Sequence, residues 1–236
     1  MGDAYKTQGR IQLSYAPYSY SKIATHKKCG AKFKYAYVDQ VKVERIPSPQ
    51  MDRGTAVHKS VENFFIGGND MLHPDIHEVY GQFFYGLRES YQCFTEQPFA
   101  IKNDWSPCEF DSPEAWVRGF LDLKILPRGD DPGELIIYEF KTGNIYEEEH
   151  AAQRLLYGTI GLVQHSEFPH AKVITVYFDK KDMREVIYPR IMLPECKALA
   201  KHTIEMIEKD QLFIAKPSYG CRWCQFSKYN NGPCAF

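Results

Sequence analysis

The sequence predicts an α/β domain in which helices surround a short sheet that one helix interrupts, with a cysteine-bearing appendage at the C-terminal end. Three observations lead there. Apolar residues recur at helical spacing up to about Tyr91, then switch to a strand-like period from Phe99 onward, with one further helical stretch between strands. The composition, 44% apolar and 25% charged over 236 residues, matches ordinary globular domains and excludes disorder, collagen and coiled coil. Three of the seven cysteines crowd the last sixteen residues, in an otherwise irregular tail.

Ser19–Val38 reads as a first helix, carrying Lys22, Lys27, Lys28, Lys32 and Lys34 among Tyr20, Phe33, Tyr35 and Tyr37. Ile46-Pro47-Ser48-Pro49 breaks the chain, because proline disfavours helix in the residue before it. Asp52 then caps a second helix with Val57, Val61 and Phe64 on one face, and Gly67-Gly68-Asn69 ends it. Pro74 opens a third amphipathic helix to about Tyr91. Trp116–Leu126 and Glu134–Phe140 are β-like and joined by the turn-rich segment Pro127–Gly133. A helix from about Glu147 to Val163 follows, in which Gly158 and Gly161 point to close packing. Strands at Lys172–Phe178 and Arg184–Met192 come next, then a helix from Pro194 to about Leu212 with Leu199, Thr203, Met206 and Ile207 on one face. The tail from Pro217 is irregular.

Several function classes fall away. The formal net charge is −1, so a polyanion partner needs a local basic patch rather than bulk charge. No glycine precedes a lysine, which removes a Walker A phosphate loop. The longest apolar run, within Leu155–Val163, is far short of the ~18 residues that span a bilayer. Met1–Lys6 lacks an apolar signal core, and an odd number of cysteines argues against a complete disulfide framework; together these predict a reducing, cytoplasmic setting and no membrane association.

The chemistry concentrates after Leu135-Ile136-Ile137-Tyr138, a run apolar on both faces and hence a central strand. It ends in Glu139-Phe140-Lys141, and alternation puts Glu139 and Lys141 on one face at the sheet's rim. Arg118-Gly119-Phe120-Leu121-Asp122 on the neighbouring strand supplies a second carboxylate. Two carboxylates at strand ends suit a hard divalent cation, Mg²⁺ or Mn²⁺, and a lysine beside them suits an attacking water. An acidic residue two before a lysine also occurs at Asp122–Lys124, Asp179–Lys181 and Glu195–Lys197, so the tripeptide alone is cheap and a surface ion pair is as good an account of it. Only Glu139 follows a buried strand with an acid on its neighbour.

Around this pair stand Gly54-Thr55-Ala56-Val57-His58 upstream and Gln153-Arg154-Leu155-Leu156-Tyr157 downstream. Gly-x-x-x-His, Gly-x-x-Asp, Glu-x-Lys and Gln-x-x-x-Tyr, in this order, resemble the PD-(D/E)XK nuclease superfamily, in particular its RecB-like branch with lambda-exonuclease-like and CRISPR-associated exonucleases. The resemblance runs from about Ser19 to the C-terminus. It implies a PD-(D/E)XK core with a short mixed sheet, in one domain over 1–236 whose 214–236 tail joins the N-terminal helix. It implies His58, Asp122, Glu139 and the backbone carbonyl of Phe140 as ligands of Mg²⁺ or Mn²⁺, with Lys141 as the catalytic lysine. Gln153 and Tyr157 would approach the scissile strand, flanked by Arg53 and Arg154 on DNA. The implied function is a metal-dependent DNA exonuclease of recombination, repair or CRISPR adaptation. Its substrate would be single-stranded DNA or DNA with free ends, and its partners a helicase, recombination or adaptation protein, or a second copy. A binding module with the same fold and little activity, and a site-specific endonuclease, are the alternatives.

Cys221-Arg222-Trp223-Cys224 and Cys234 leave a fourth ligand position that no histidine beyond His202 fills, and Cys29 is the candidate. In the family resembled, one N-terminal and three C-terminal cysteines hold a [4Fe–4S] cluster; Zn²⁺ is the other metal that suits four thiolates. Cys93, Cys108 and Cys196 read as structural.

Overall fold

The computed structural model describes residues 15–44, 46, 48–67, 72–129 and 133–236. Met1–Lys6, Pro47, Gly68-Asn69 and part of the Pro127–Gly133 turn, each used in the sequence reading, lie outside the described residues.

Five strands form one sheet in the order β1-β2-β3-β4-β5: β1 Gln92–Ile101, β2 Val117–Leu126, β3 Leu135–Lys141, β4 His170–Tyr177 and β5 Asp182–Pro189. All neighbours are antiparallel except β3 and β4, which run parallel. A parallel pair needs a long crossover, supplied by α5 (Glu147–Gln164). The sheet is therefore mixed, as the motif resemblance implies. On the N-terminal side lie α1 (Tyr20–Lys28), α2 (Gly30–Phe33), α3 (Pro49–Ile66) and α4 (Pro74–Ser90), and α6 (Leu193–Lys209) follows the last strand.

β3 is buried on both faces over Leu135–Phe140, and its alternation splits the core. Leu135 and Ile137 join α5 and α6 residues such as Leu156, Ile160 and Ile204. Ile136, Tyr138 and Phe140 join Val57 and Val61 of α3 and Phe84 of α4. Glu139 has the parity of Leu135 and Ile137, which turns it toward α5. A Cβ at Gly161 would come within 2.7 Å of Ile137 Cδ1, and one at Gly158 would run into the Tyr188 ring. The two glycines let α5 lie directly on the sheet.

Four expectations are corrected. The first helix is interrupted at Cys29, which is extended (φ −163°, ψ 112°), and resumes as α2 and a π-helical turn at Lys34–Val38. Gly30 explains the break: a Cβ there would sit 2.7 Å from the Phe213 backbone, so the chain is pressed against the segment after α6. The cap of α3 is Ser48, whose hydroxyl accepts from the Met51 N–H at 3.4 Å; Pro49 starts the helix, and Asp52 lies in its first turn. The stripe of α6 that is buried is Cys196, Ala200, Ile204 and Ile207, while Leu199 and Met206 of the neighbouring stripe are exposed; the helix ends at Lys209 and β5 at Pro189. Finally, β1 starts at Gln92, seven residues before the expected change of period. As an edge strand with Gln92, Thr95, Glu96, Gln97 and Pro98, it lacks the apolar alternation that identifies a strand.

Candidate active site

The β2–β3 ladder pairs Leu123, Lys124 and Ile125 with Tyr138, Ile137 and Ile136. One step further that register sets Asp122 opposite Glu139. There the main-chain pairing gives way to a side chain: Asp122 Oδ2 accepts the Phe140 N–H at 2.7 Å. The carboxylate thus does the work of a ladder carbonyl, and the end of β3 is tied to β2 by an acidic group. On β3, Lys141 Nζ donates to Glu139 Oε1 at 2.6 Å. The other carboxylate oxygen of Glu139, Oε2, is buried with no hydrogen-bond partner. A buried orphan carboxylate oxygen is costly and calls for a cation.

α3 brings His58 to the same place. Gly54 lies one turn earlier, where a Cβ would stand 3.1 Å from Thr142 Oγ1, so the helix can approach the end of β3 closely. His58 Nδ1 lies 3.6 Å from Asp122 Oδ1, and its ring meets Phe140 edge-on at 6.2 Å. A third ligand arrives from a strand that the sequence did not reveal. Glu96 on β1 joins His58 and Asp122 in a group whose ligand atoms all lie within 4.8 Å of one another, the one such group of histidine, cysteine and acidic residues among the described residues. Glu96 has φ +45°, a left-handed conformation uncommon for a side-chain-bearing residue. Such backbone concentrates at functional sites. No motif carried Glu96; its signal was an acidic residue in an edge strand opposite Asp122, visible only once β1 and its register were known.

The charges crowd. Burial, then the charge of Asp122, pushes the Glu139 carboxyl up to about 7, against the opposing pull of Lys141 and His58. Burial followed by Asp122 and Glu62 also raises Glu96. Burial alone would lower His58, but Asp122 and Glu139 outweigh it and favour the imidazolium. Desolvation likewise opposes the charge of Lys141, and Glu139 overrides it. Carboxylates that resist ionisation because they face one another are the electrostatic setting that a divalent cation relieves.

A trough of about 550 Å³ opens from Glu139 and Lys141 between α1, α5 and β2. Gln153 and Tyr157, one turn apart on α5, line it, both more than nine-tenths buried, and Gln153 Oε1 has no partner. Lys28 and Lys32 stand on its α1 side; Lys28 pairs with Glu149 at 2.9 Å, whereas Lys32 is exposed. Two other lysines of this stretch are occupied. Lys22 is half-buried on main-chain carbonyls of Tyr15 and Pro17, and Lys34 pairs with Asp39 at 2.5 Å.

The two arginines expected on DNA are both engaged within the protein. Arg154 is only 2% exposed: it turns away from the trough, bonds Thr175 Oγ1 at 3.2 Å and pairs with Glu147. On α5, residues 153 and 157 face the trough while 150 and 154 face β4, so the two arms of one motif serve different neighbours. Arg53 is exposed, but its guanidinium is shared between Asp75 and Asp179, both at 2.8 Å, and Asp179 also accepts the Gly143 N–H at 2.8 Å. Arg53 thus braces α3 against the segment after Lys141.

The model of the PD-(D/E)XK nuclease superfamily matches residues 17–82 and 77–229. The chain belongs to this superfamily. No curated protein matches. Among solved structures, the chain is similar to the protein SSO0001, with a TM-score of 0.44 and 15% identity over 89% of this chain and 82% of that one. It is also similar to a protein of Eubacterium rectale described provisionally as an exonuclease, with a TM-score of 0.48 and 11% identity over 97% and 94%. Membership rests on the family match; the structural likenesses are too slight to add to it.

A PD-(D/E)XK nuclease hydrolyses nucleic-acid phosphodiesters, generally with divalent metal ions, and the residues here fit such an ion: the His58–Glu96–Asp122 trio groups within 4.8 Å, and Glu139, with its orphaned Oε2, is near enough to feel the charges of Asp122 and His58. The cysteines form a separate corner. Cys29 Sγ accepts the Lys216 N–H at 3.5 Å, Cys221 Sγ accepts the Ser218 N–H at 3.4 Å, and Tyr35 packs on Phe226 at 5.8 Å. The N-terminal helices and the tail are therefore joined. No three of the four sulfurs lie within 4.8 Å of one another. A tetrathiolate zinc site, with Zn–S near 2.3 Å, needs all four about 3.8 Å apart. No helix among the described residues is long and apolar enough to cross a membrane.

Proposed function

We propose that this PD-(D/E)XK nuclease is a Mg²⁺- or Mn²⁺-dependent deoxyribonuclease that degrades DNA from an end. The observation that carries the reading is the His58–Glu96–Asp122 group, whose charges act on a buried Glu139, next to the Glu139–Lys141 pair that lines a trough edged by Lys28 and Lys32. The order of the motifs resembles the exonuclease branch, which favours attack at an end over internal sites.

His58, Glu96, Asp122, the free oxygen of Glu139 and the Phe140 carbonyl would hold one or two ions. When bound, such ions polarise the scissile phosphate and make water a better nucleophile at neutral pH. The protein's own groups do the rest. The Phe140 N–H aims Asp122, and Glu139 holds the Lys141 ammonium beside the reacting phosphate, where it orients the attacking water and offsets phosphorane charge. Gln153 presents an unsatisfied amide oxygen and Tyr157 a buried phenol to the strand in the trough. Lys32 and Lys28 pair with flanking phosphates. The cysteine corner is read as a [4Fe–4S] site, supported by the meeting of the Cys29 segment with the cysteine-bearing tail and by the thiolate donor set.

The test is digestion of 5′- and 3′-labelled single- and double-stranded DNA, linear and circular, with Mg²⁺, Mn²⁺ or EDTA. Release of short products from linear DNA alone, only with metal, is expected. Nicking of covalently closed circles at the same rate would replace the end-directed reading with an endonuclease, and cleavage in EDTA would remove the metal.

A further inference from the structure

The segment from Gln211 to Phe236 contains Lys216, Arg222 and Lys228 and no Asp or Glu. It also turns its rings outward: Tyr219, Trp223 and Tyr229 are 69%, 60% and 64% exposed. The other two tryptophans of the chain, Trp105 and Trp116, are buried. Large aromatic surface left in water marks an interaction site more often than an accident of folding.

The rings are held in place. Tyr219 and Trp223 meet edge-on at 4.9 Å, with the Arg222 guanidinium 4.8 Å from the centre of the Tyr219 ring. The Lys228 ammonium lies 5.7 Å from the centre of Tyr229. Beneath them the Asn230 side-chain amide donates to the carbonyls of Arg222 at 3.0 Å and Cys224 at 3.1 Å, tying the two short turns together. A ligand would meet rings already ordered, so little conformational entropy is lost on binding.

The position is informative too. Lys216 reaches α1 twice, through its N–H to Cys29 Sγ and its ammonium to the Lys27 carbonyl at 2.9 Å. Lys28 and Lys32, on either side of Cys29, line the catalytic trough. Residues 15–38 carry five lysines and again no acid. The tail and the first helices thus contribute a run of cations to the margin beside the trough, where Glu149 pairs with Lys28 and Lys32 is exposed.

We propose that Tyr219, Trp223 and Tyr229, with Arg222 and Lys228, form a stacking platform for unpaired nucleotides of a DNA single strand that also occupies the trough. The nature of the polymer rests on the nuclease reading; the platform rests on the rings and charges. Every base offers a π-face, so exposed rings bind single strands with little regard to sequence, and neighbouring cations neutralise the phosphates. A duplex keeps its bases stacked on one another and has none to offer. A basic peptide would be repelled.

The experiment uses the whole protein in EDTA, where the ion-dependent reaction is off, with oligo(dT) of about 20 nucleotides. Because Trp105 and Trp116 are buried, a change in tryptophan emission reports on Trp223. Quenching on titration is expected. Trp223→Ala should abolish the quench and weaken binding by about tenfold, within the range for loss of one stacked base. Trp223→Phe keeps a ring and should retain most of the affinity, and Tyr229→Ala should weaken binding without removing the quench. An abasic oligomer of equal length should bind the parent and Trp223→Ala alike. Equal oligo(dT) affinity for parent and Trp223→Ala, or an equal loss for the abasic oligomer, would overturn the platform. The two readings fail separately. Metal-dependent cleavage without quenching leaves the nuclease and removes the platform, and quenching without cleavage does the reverse.

Discussion

Replacing Glu139 with Gln removes a carboxyl group that the fold keeps 5% exposed beside Asp122, and the consequence is written in pH. The folded-state pKa is raised from 4.5 to about 7. The folded protein therefore holds this proton more tightly than the unfolded chain. The stability it contributes is fully present below about pH 4.5 and lost as pH rises through about 7. At about 1.36 kcal/mol for each tenfold in proton affinity, the loss across that window is roughly 3 kcal/mol. At 2–4 °C per kcal/mol for a chain of this size, that is about 6–12 °C in Tm. The assay is thermal unfolding at pH 5, 6, 7 and 8 in EDTA for the parent and Glu139→Gln, read as the difference between them. The parent should lose Tm relative to the variant over this range. Titrations of groups that do not face Glu139 cancel in the difference, whereas His58 and Lys141, both raised in part by Glu139, move with it. His58, raised, acts in the same direction as Glu139, while burial lowers His150 to about 4 and makes it stabilise as pH rises. Mg²⁺ or Mn²⁺ should stabilise the parent by about 2.7 kcal/mol at pH 8 at a hundredfold excess over Kd, and by less at pH 5. Parallel pH profiles in the two proteins, or a metal shift independent of pH, would refute a buried ionising ligand at Glu139.

Asp122→Ala, Glu139→Ala and Lys141→Ala should each abolish cleavage while largely sparing DNA binding; full activity in Glu139→Ala would remove the assignment. Glu195→Ala, at an exposed position of α6, should be silent. Asp179→Ala, which the sequence alone would also make a silent control, should slow turnover because Asp179 holds both Arg53 and the Gly143 N–H. Glu96→Gln should raise the Mg²⁺ or Mn²⁺ concentration for half-maximal rate at least about tenfold, as His58→Ala should; overlaying titration curves would make either a packing residue. Protein purified without oxygen should be brown and hold iron, and Cys224→Ser should lose colour and thermal stability together, since thiolate–metal binding energy is folding energy; colourless, iron-free parent protein would end the cluster reading.

Much of this was legible in the sequence because it lay in long, periodic or buried elements. Leu135–Tyr138 announced a central strand, so Glu139 and Lys141 were placed by alternation alone. Gly158 and Gly161 announced the packing of α5 on the sheet, and the ordered motifs pointed to His58. What failed was local. A Gln-x-x-x-Tyr motif says which helix face matters but not that Arg154, one residue on from Gln153, is carried around to the opposite side. Arg53 looked free because its partners, Asp75 and Asp179, come from segments distant in sequence. The lysines of the N-terminal stretch, read as one helix, are divided by their neighbours: Lys22 and Lys34 are taken up locally by the carbonyls of Tyr15 and Pro17 and by Asp39, and Lys28 by Glu149 of α5, while Lys32 is exposed.

Glu96 was hidden for a further reason, and the reason bears on how the site works. β1 is an edge strand with a polar sequence, and its apolar residues change sides along its length: Cys93 packs toward α3 and α4, whereas Phe99 and Ile101 face the α5 cluster. No period-two pattern survives such a switch. The switch occurs at Glu96, where φ is +45°. A regular strand would have kept one face throughout and denied the site either its third ligand or the packing of Phe99 against Tyr157 at 5.9 Å. The distortion supplies both: it turns the Glu96 carboxylate to Asp122 and His58, and it sets Phe99 beneath the α5 residue that lines the trough. The irregularity that concealed the strand is thus the feature that completes the metal-ligand set, and glycine at position 96 would relieve the backbone while removing the ligand it was built to aim.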